Sequence, residues 1–285
     1  MAKQTAEFEE FSLYKGKVQG KFYPKSHAYY VNGKRKTGVT TYCGMKDKSA
    51  GLVSWAVGLF RDYLLELFEA GEKIIEQHIL DGAILHEKKK TEAADIGTEV
   101  HDWIERFIKG ENPDMPERRE AQIGVNAFID WTKANKVKFM SSERIVYSKR
   151  YDYIGKMDIE AKVNGKLSLI DIKTSNDIRN DYYMQTAAYV RADEEESDRE
   201  YRGRWILRVS KETEKEYIAR MKKKNDIRVK FGKEPVEFPD YQVFEAKDLD
   251  EEDANMERDF KAFLACKTLK EFEDATGFYA ELKKK

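Results

Sequence analysis

Two carboxylates and a lysine stand on either side of a turn in the middle of this chain: Asp158 in Gly155-Lys156-Met157-Asp158, the dipeptide Asn164-Gly165, and Asp171-Ile172-Lys173-Thr174-Ser175. Asn-Gly readily adopts the left-handed conformations of a two-residue type I′ hairpin loop. With that loop Val163 faces Lys166, and counting back along both strands places Asp158 opposite Asp171. The pair then falls at a non-hydrogen-bonded position, where Cα atoms come within about 4.5 Å. Lys173 follows Asp171 on the same face, while Ile159, Ile170 and Ile172 point to the other side as an apolar surface. Like charges directly opposed destabilise a sheet, so the arrangement calls for a cation between the acids. Oxygen donors suit a hard divalent ion, Mg²⁺ or Mn²⁺.

The elements that must hold these groups follow from periodicity. Alternating patterns predict strands over 140–148, 154–163 and 166–173, with further strands at 205–209 and 241–244. Upstream, residues 22–42 read as strands around an Asn32-Gly33 turn, with Thr40 or Thr41 capping a helix that follows. Residues 50–110 carry apolar residues at helical spacing, including Ile96, Val100, Trp103 and Phe107, and Gly110 and Pro113 end that run. Helices are also expected over 118–134, 181–192 and within 249–282. Helices before and after a central sheet make the chain α/β, or α+β.

Further segments sit at ordered intervals around the acids. Gly97-Thr98-Glu99-Val100-His101 falls on a predicted helix, Ser142-Glu143 opens the first central strand, and Gln185-Thr186-Ala187-Ala188-Tyr189 lies on the helix after Lys173. Together with Asp158 and Asp171-Ile172-Lys173, these segments resemble the PD-(D/E)XK nuclease superfamily, and within it the RecB-type branch of phage, bacterial and mitochondrial genome-maintenance exonucleases. The resemblance covers residues 97–189. It departs from the branch at Met157, where proline is usual, and in lacking the cysteines with which some relatives hold an iron–sulfur cluster.

The resemblance implies a restriction-endonuclease-like central mixed sheet flanked by helices, with an N-terminal hairpin and helical lobe. In a single nuclease unit, residues 1–95 would form the DNA-contacting lobe, 96–246 the catalytic core and 247–285 the C-terminal helices. It implies a DNA nuclease, an exonuclease rather than an endonuclease, in which His101, Asp158, Asp171 and the Ile172 carbonyl hold metal. Lys173 would position the attacking water and offset charge on the phosphate. Glu143 would bind metal or hold that water. Gln185 and Tyr189, four residues apart on one helical face, would lie near the active site and the DNA. Read alone, His101 is more often a packed or surface histidine beside Val100, Ile104 and Phe107, and a non-catalytic nucleic-acid-binding or assembly protein on a nuclease fold is the alternative for the whole chain.

Composition narrows the remaining classes. The 285 residues carry a net charge of -1, which argues against indiscriminate coating of nucleic acid. The charge is nevertheless uneven: residues 11–46 hold eight Lys and Arg and no acid, interleaved with Phe22, Tyr23, Tyr29 and Tyr30. That pattern suits a strand-binding surface, with Lys34, Arg35 and Lys36 on phosphates and some of the rings stacked on bases. The acidic runs 193–200 and 245–259 read as solvated faces. Cys43 and Cys266 are the only cysteines, which excludes a disulfide framework and an all-cysteine cluster. No G-x-x-x-x-G-K-[ST] loop or H-E-x-x-H motif occurs, so neither a bound nucleotide nor a zinc-protease centre is expected. The longest uncharged stretch, 49–60, is 12 residues and too short to span a bilayer. The N-terminus has acids where a secretory signal is apolar. The expected setting is the cytoplasm, that of the host if the chain is phage-encoded, with DNA, single- or double-stranded, as partner and any recombination or replication protein unassigned.

Overall fold

Antiparallel pairing organises the first part of the chain, in a computed structural model that describes residues 7–210, 212–250 and 256–277. Strands β1 (Glu9–Leu13), β2 (Val18–Tyr23), β3 (Ala28–Val31) and β4 (Lys34–Lys36) form one sheet in that order. Asn32 (φ 47°) and Gly33 (φ 78°) make the β3–β4 turn, as the dipeptide predicts. Leu13, Val18, Phe22, Tyr29 and Val31 line the buried face of this sheet and pack against Ile145, Tyr147 and Ile154.

Along the chain, helices α1 (Val39–Cys43), α2 (Ser49–Glu69), α3 (Glu76–Ala83), α4 (Leu85–Ile108) and α5 (Arg119–Ala134) come between the strands of this sheet and those of a second one. The second sheet is mixed, in the order β5 (Lys138–Ser148), β6 (Tyr153–Val163), β7 (Lys166–Thr174), β8 (Gly203–Val209), β9 (Phe244–Asp248). Helix α6 (Asn180–Ser197) makes the crossover that lets β8 run parallel to β7; the other neighbours are antiparallel. Helices α7 (Glu214–Lys230) and α8 (Met256–Thr276) follow.

The mixed sheet is covered on both faces. On one, Val100 and Ile104 of α4 and Val125 and Phe128 of α5 pack on Ile159, Ile170, Ile172 and Leu207. On the other, Ala187 and Ala188 of α6, Val39 of α1 and Phe263 of α8 pack on Met157 and Leu169. Each large side chain so buried contributes roughly 1.5–3 kcal/mol. Gly124 lets α5 come this close, since a Cβ there would meet Val209 Cγ1 at 2.5 Å.

Several expectations need correction. Thr40 and Thr41 lie inside α1, whose N-cap is Gly38 with no side-chain cap. The last strand is displaced from 241–244 to Phe244–Asp248. Helix α7 over Glu214–Lys230 was not anticipated. The run 193–200 is not a solvated face: Asp193 is fully buried, accepts from the Tyr201 hydroxyl at 2.9 Å and pairs with Arg144. In the run 245–259, Asp259 is buried and Arg204, also fully buried, donates to it at 3.0 Å and to Asp250 at 3.1 Å. The helical expectation over 251–255 and 278–282 lies outside the described residues. Among the described residues no helix is long and apolar enough to cross a membrane.

Candidate active site

The β6–β7 register is the one the Asn164-Gly165 turn dictates, with Val163 opposite Lys166 and Ile159 opposite Ile170. The ladder ends there, one pair short of Asp158 and Asp171. Met157 belongs to the core layer beneath α6 and Ile159 to the layer beneath α4 and α5, so β6 changes face between them. Asp158 sits at that change, and its Oδ2 accepts the Ile172 N–H at 2.8 Å. A strand N–H lies in the plane of the sheet, so the carboxylate lies there too, in the opening between β6 and β7.

A second acid meets Asp158 from the opposite edge of β6. The pairs Ser142–Ile159 and Arg144–Met157 place Glu143 of β5 across from it. Glu143 holds φ at 53°, an uncommon value for a residue other than glycine. From α4, His101 brings Nδ1 to 3.9 Å from Asp158 Oδ2. One donor atom from each of His101, Glu143 and Asp158 lies within 4.8 Å of the others. They line a cavity of about 10 Å³, into which Ile172 also faces, a space that suits one water-sized occupant. At Gly97, α4 passes close to β7, where an added Cβ would make ordinary contact with Thr174 at 3.4 Å.

Asp171 occupies the neighbouring position, fully buried, with Oδ2 2.6 Å from Lys173 Nζ. Its Oδ1 has no hydrogen-bond partner among the described residues. Burial pushes its pKa up to about 6; Lys173 opposes the rise and Asp158 adds to it. Asp158 is also raised by burial, against the pull of Lys173, the Ile172 N–H and Lys156. Burial disfavours the Lys173 ammonium, but Asp171 and Asp158 outweigh it and its pKa rises. His101 moves down, through loss of solvation among the atoms packed around it and then the Lys173 charge, although a third of its side chain reaches solvent. The Ile172 backbone works the other way and favours the imidazolium. This is the electrostatic state of an acid cluster with a lysine as its local counter-charge.

Gln185 and Tyr189 are both buried, and Gln185 Nε2 donates to the Tyr189 hydroxyl at 2.9 Å. Burial, then Asp171 and Asp158, hold the tyrosine well above its ordinary pKa. Neither side chain offers exposed surface for direct contact with a large substrate. The Tyr189 ring lies over Gly155, where a Cβ would come within 2.4 Å of Cε1.

The basic N-terminal stretch lies on the other sheet. Lys34 and Arg35 on β4 are exposed, whereas Lys36 is 2.7 Å from Asp152. Phe22 and Tyr29 stack on each other at 4.7 Å in the core and are unavailable to a base. Tyr23 and Tyr30 remain half-buried, edge to face at 5.5 Å.

The residue that sequence reasoning passed over is Lys156, whose Nζ is 2.5 Å from Glu143 Oε2. Its place depends on the β5–β6 register, and the longer connection between those strands carries no turn dipeptide from which to count. Comparison with the models of known families and with curated proteins finds no match for the chain.

Proposed function

We propose that this chain is a divalent-metal-dependent DNA nuclease of the PD-(D/E)XK kind, an exonuclease of the RecB type on a restriction-endonuclease-like core. The observation that carries the reading is the convergence of His101, Glu143 and Asp158 on a single-occupant cavity beside the buried Asp171–Lys173 pair. The mixed sheet with helices on both faces supports the fold assignment.

The donor set fits a hard ion: carboxylate oxygens, an imidazole, and an Asp171 oxygen buried without a hydrogen bond. Asp158, Asp171 and His101 would hold Mg²⁺ or Mn²⁺, with Glu143 and the Ile172 carbonyl as further donors. Such an ion supplies Lewis-acid polarisation of a phosphoryl oxygen and acidifies a water. The chain's own residues do the rest. Lys173 stays protonated beside two acids and presents a fixed positive charge where negative charge develops on the scissile phosphate. Asp158 is fixed by the Ile172 N–H, so its second oxygen is free to bind. Gln185 and Tyr189 close the site from beneath and exclude water from Asp171. Lys34 and Arg35 hold phosphates at a distance from the chemistry.

The test uses end-labelled single- and double-stranded DNA and a closed circle, each with Mg²⁺, Mn²⁺ or chelator. Metal-dependent loss of the linear substrates with the circle intact is the expected result. A cut circle makes the protein an endonuclease. DNA binding without cleavage of any substrate returns it to the non-catalytic alternative.

A further inference from the structure

Glu143 is claimed twice. Its carboxylate belongs to the group with His101 and Asp158, yet its Oε2 lies 2.5 Å from Lys156 Nζ. The lysine is well held: its backbone pairs with Ile145 across β5 and β6. Its ammonium stands 5.0 Å over the ring of Phe22, which is locked by stacking on Tyr29. Both partners of the ion pair are mostly buried, at 22% and 24% exposure. Neither charge is therefore tolerated well alone. Asp158 also feels Lys156, though no direct bond joins them. An ammonium this close to a carboxylate fills the same electrostatic need that a divalent ion would.

We propose that Lys156 is an exchangeable counter-ion of the metal site: it neutralises Glu143 in the metal-free protein and competes with the divalent cation for that carboxylate. The inference rests on the metal site of the proposed nuclease. When the cation takes Glu143, the Lys156 ammonium is released beside the site with Phe22 beneath it, as a positive group for a substrate phosphate. Metal loading and the availability of that group are then linked, and by reciprocity each favours the other. Lys173 does not share this role, because it pairs with Asp171 on the other side of β6.

The experiment is Mn²⁺ binding to the whole chain without DNA, by calorimetry and by the electron paramagnetic resonance signal of the free ion. Lys156→Met should bind Mn²⁺ about tenfold more tightly than wild type, the scale of one charged hydrogen bond no longer to be broken. Glu143→Gln should bind more weakly, and adding Lys156→Met to it should bring no gain. Unchanged or weaker binding in Lys156→Met overturns the proposal, as does a gain that persists in the Glu143→Gln background, which would make the lysine a general charge. If Lys156→Met does not fold, Lys156→Arg decides: a guanidinium holds a carboxylate in two places and should weaken Mn²⁺ binding severalfold. An unchanged affinity there overturns it as well. Wild type that binds no Mn²⁺ removes the metal site and this inference together, whereas Mn²⁺ binding without DNA cleavage removes only the nuclease reading.

Discussion

Asp158 takes the N–H of Ile172 at 2.8 Å at the point where β6 and β7 cease to pair. In an unbroken ladder that N–H would go to the Met157 carbonyl. The side chain replaces a backbone acceptor, so a carboxylate is built into the hydrogen bonding of the sheet. This places Asp158 with main-chain precision while opening β6 from β7 beside Asp171.

Asp158→Ala, Asp171→Ala and Lys173→Ala should each lower DNA cleavage by roughly 10²–10³-fold or more, the scale for removing a group that stabilises transition-state charge. Their circular dichroism should match wild type. Near-wild-type cleavage by any folded variant would take that residue out of the mechanism.

Asp171 makes stability depend on pH in chelator. Its folded pKa, about 6, lies above the ordinary carboxylate value of 3.8, so between these values the folded protein holds more protons than the unfolded one. Stability therefore falls as pH rises through this window and stays low above it. Urea melts from pH 4 to pH 7 should show the fall, and Asp171→Asn should flatten it. Saturating Mn²⁺ should reverse it at the upper end, adding about 2.7 kcal/mol at a hundredfold excess over the dissociation constant. An equal slope in Asp171→Asn would assign the effect to other groups.

Lys34 and Arg35 are exposed, and Lys36 is tied to Asp152. Neutralising Lys34 and Arg35 should weaken DNA binding and flatten the dependence of log affinity on log salt by about 0.7–0.9 for each phosphate left unpaired. Lys36→Met should leave that slope alone. If the slope does not move in the double variant, this edge of the sheet is solvated surface.

Gly155→Ala should cost about 1–3 kcal/mol by overpacking, since its Cβ would lie 2.4 Å from the Tyr189 ring and 3.1 Å from Val39. Tyr189→Leu should recover part of the loss. Additive losses in the double variant, measured by urea melts, would show that the two positions do not meet.

The central hairpin was legible because two turn residues, Asn164 and Gly165, fix every later pairing between β6 and β7. The Asp158–Ile172 bond was not, because it depends on β6 changing face between α6 above and α4 below. Helix α7 has no buried residues among those described, so no apolar stripe announces it. Its signal is the capping box formed by Thr213 and Glu216, present in the sequence as T-x-x-E. Phe22 and Tyr29 look like surface rings among lysines until Ile145 and Ile154, far along the chain, arrive to cover them. Asp193 is similar: the arginine that meets it, Arg144, belongs to a different element. Local chemistry thus determined the turns and helix stripes, and long-range partners decided which charges and rings went inside.

The buried Arg204–Asp259 pair sets an order of events during synthesis. Strand β8 is made well before α8, and until Asp259 appears Arg204 keeps, among the described residues, only Asp250 and the Tyr183 carbonyl as partners; a buried ion pair missing one partner is destabilised by about 3–5 kcal/mol. Phe260 and Phe263 arrive in the same turn of α8 and close the layer over Tyr153 and Met157. A nascent chain that has already made β6, β7 and both aspartates therefore has no reason to settle into its final packing. The strands that carry Asp158 and Asp171 should stay protease-sensitive until α8 has packed over them, so that metal-binding competence is acquired late in folding.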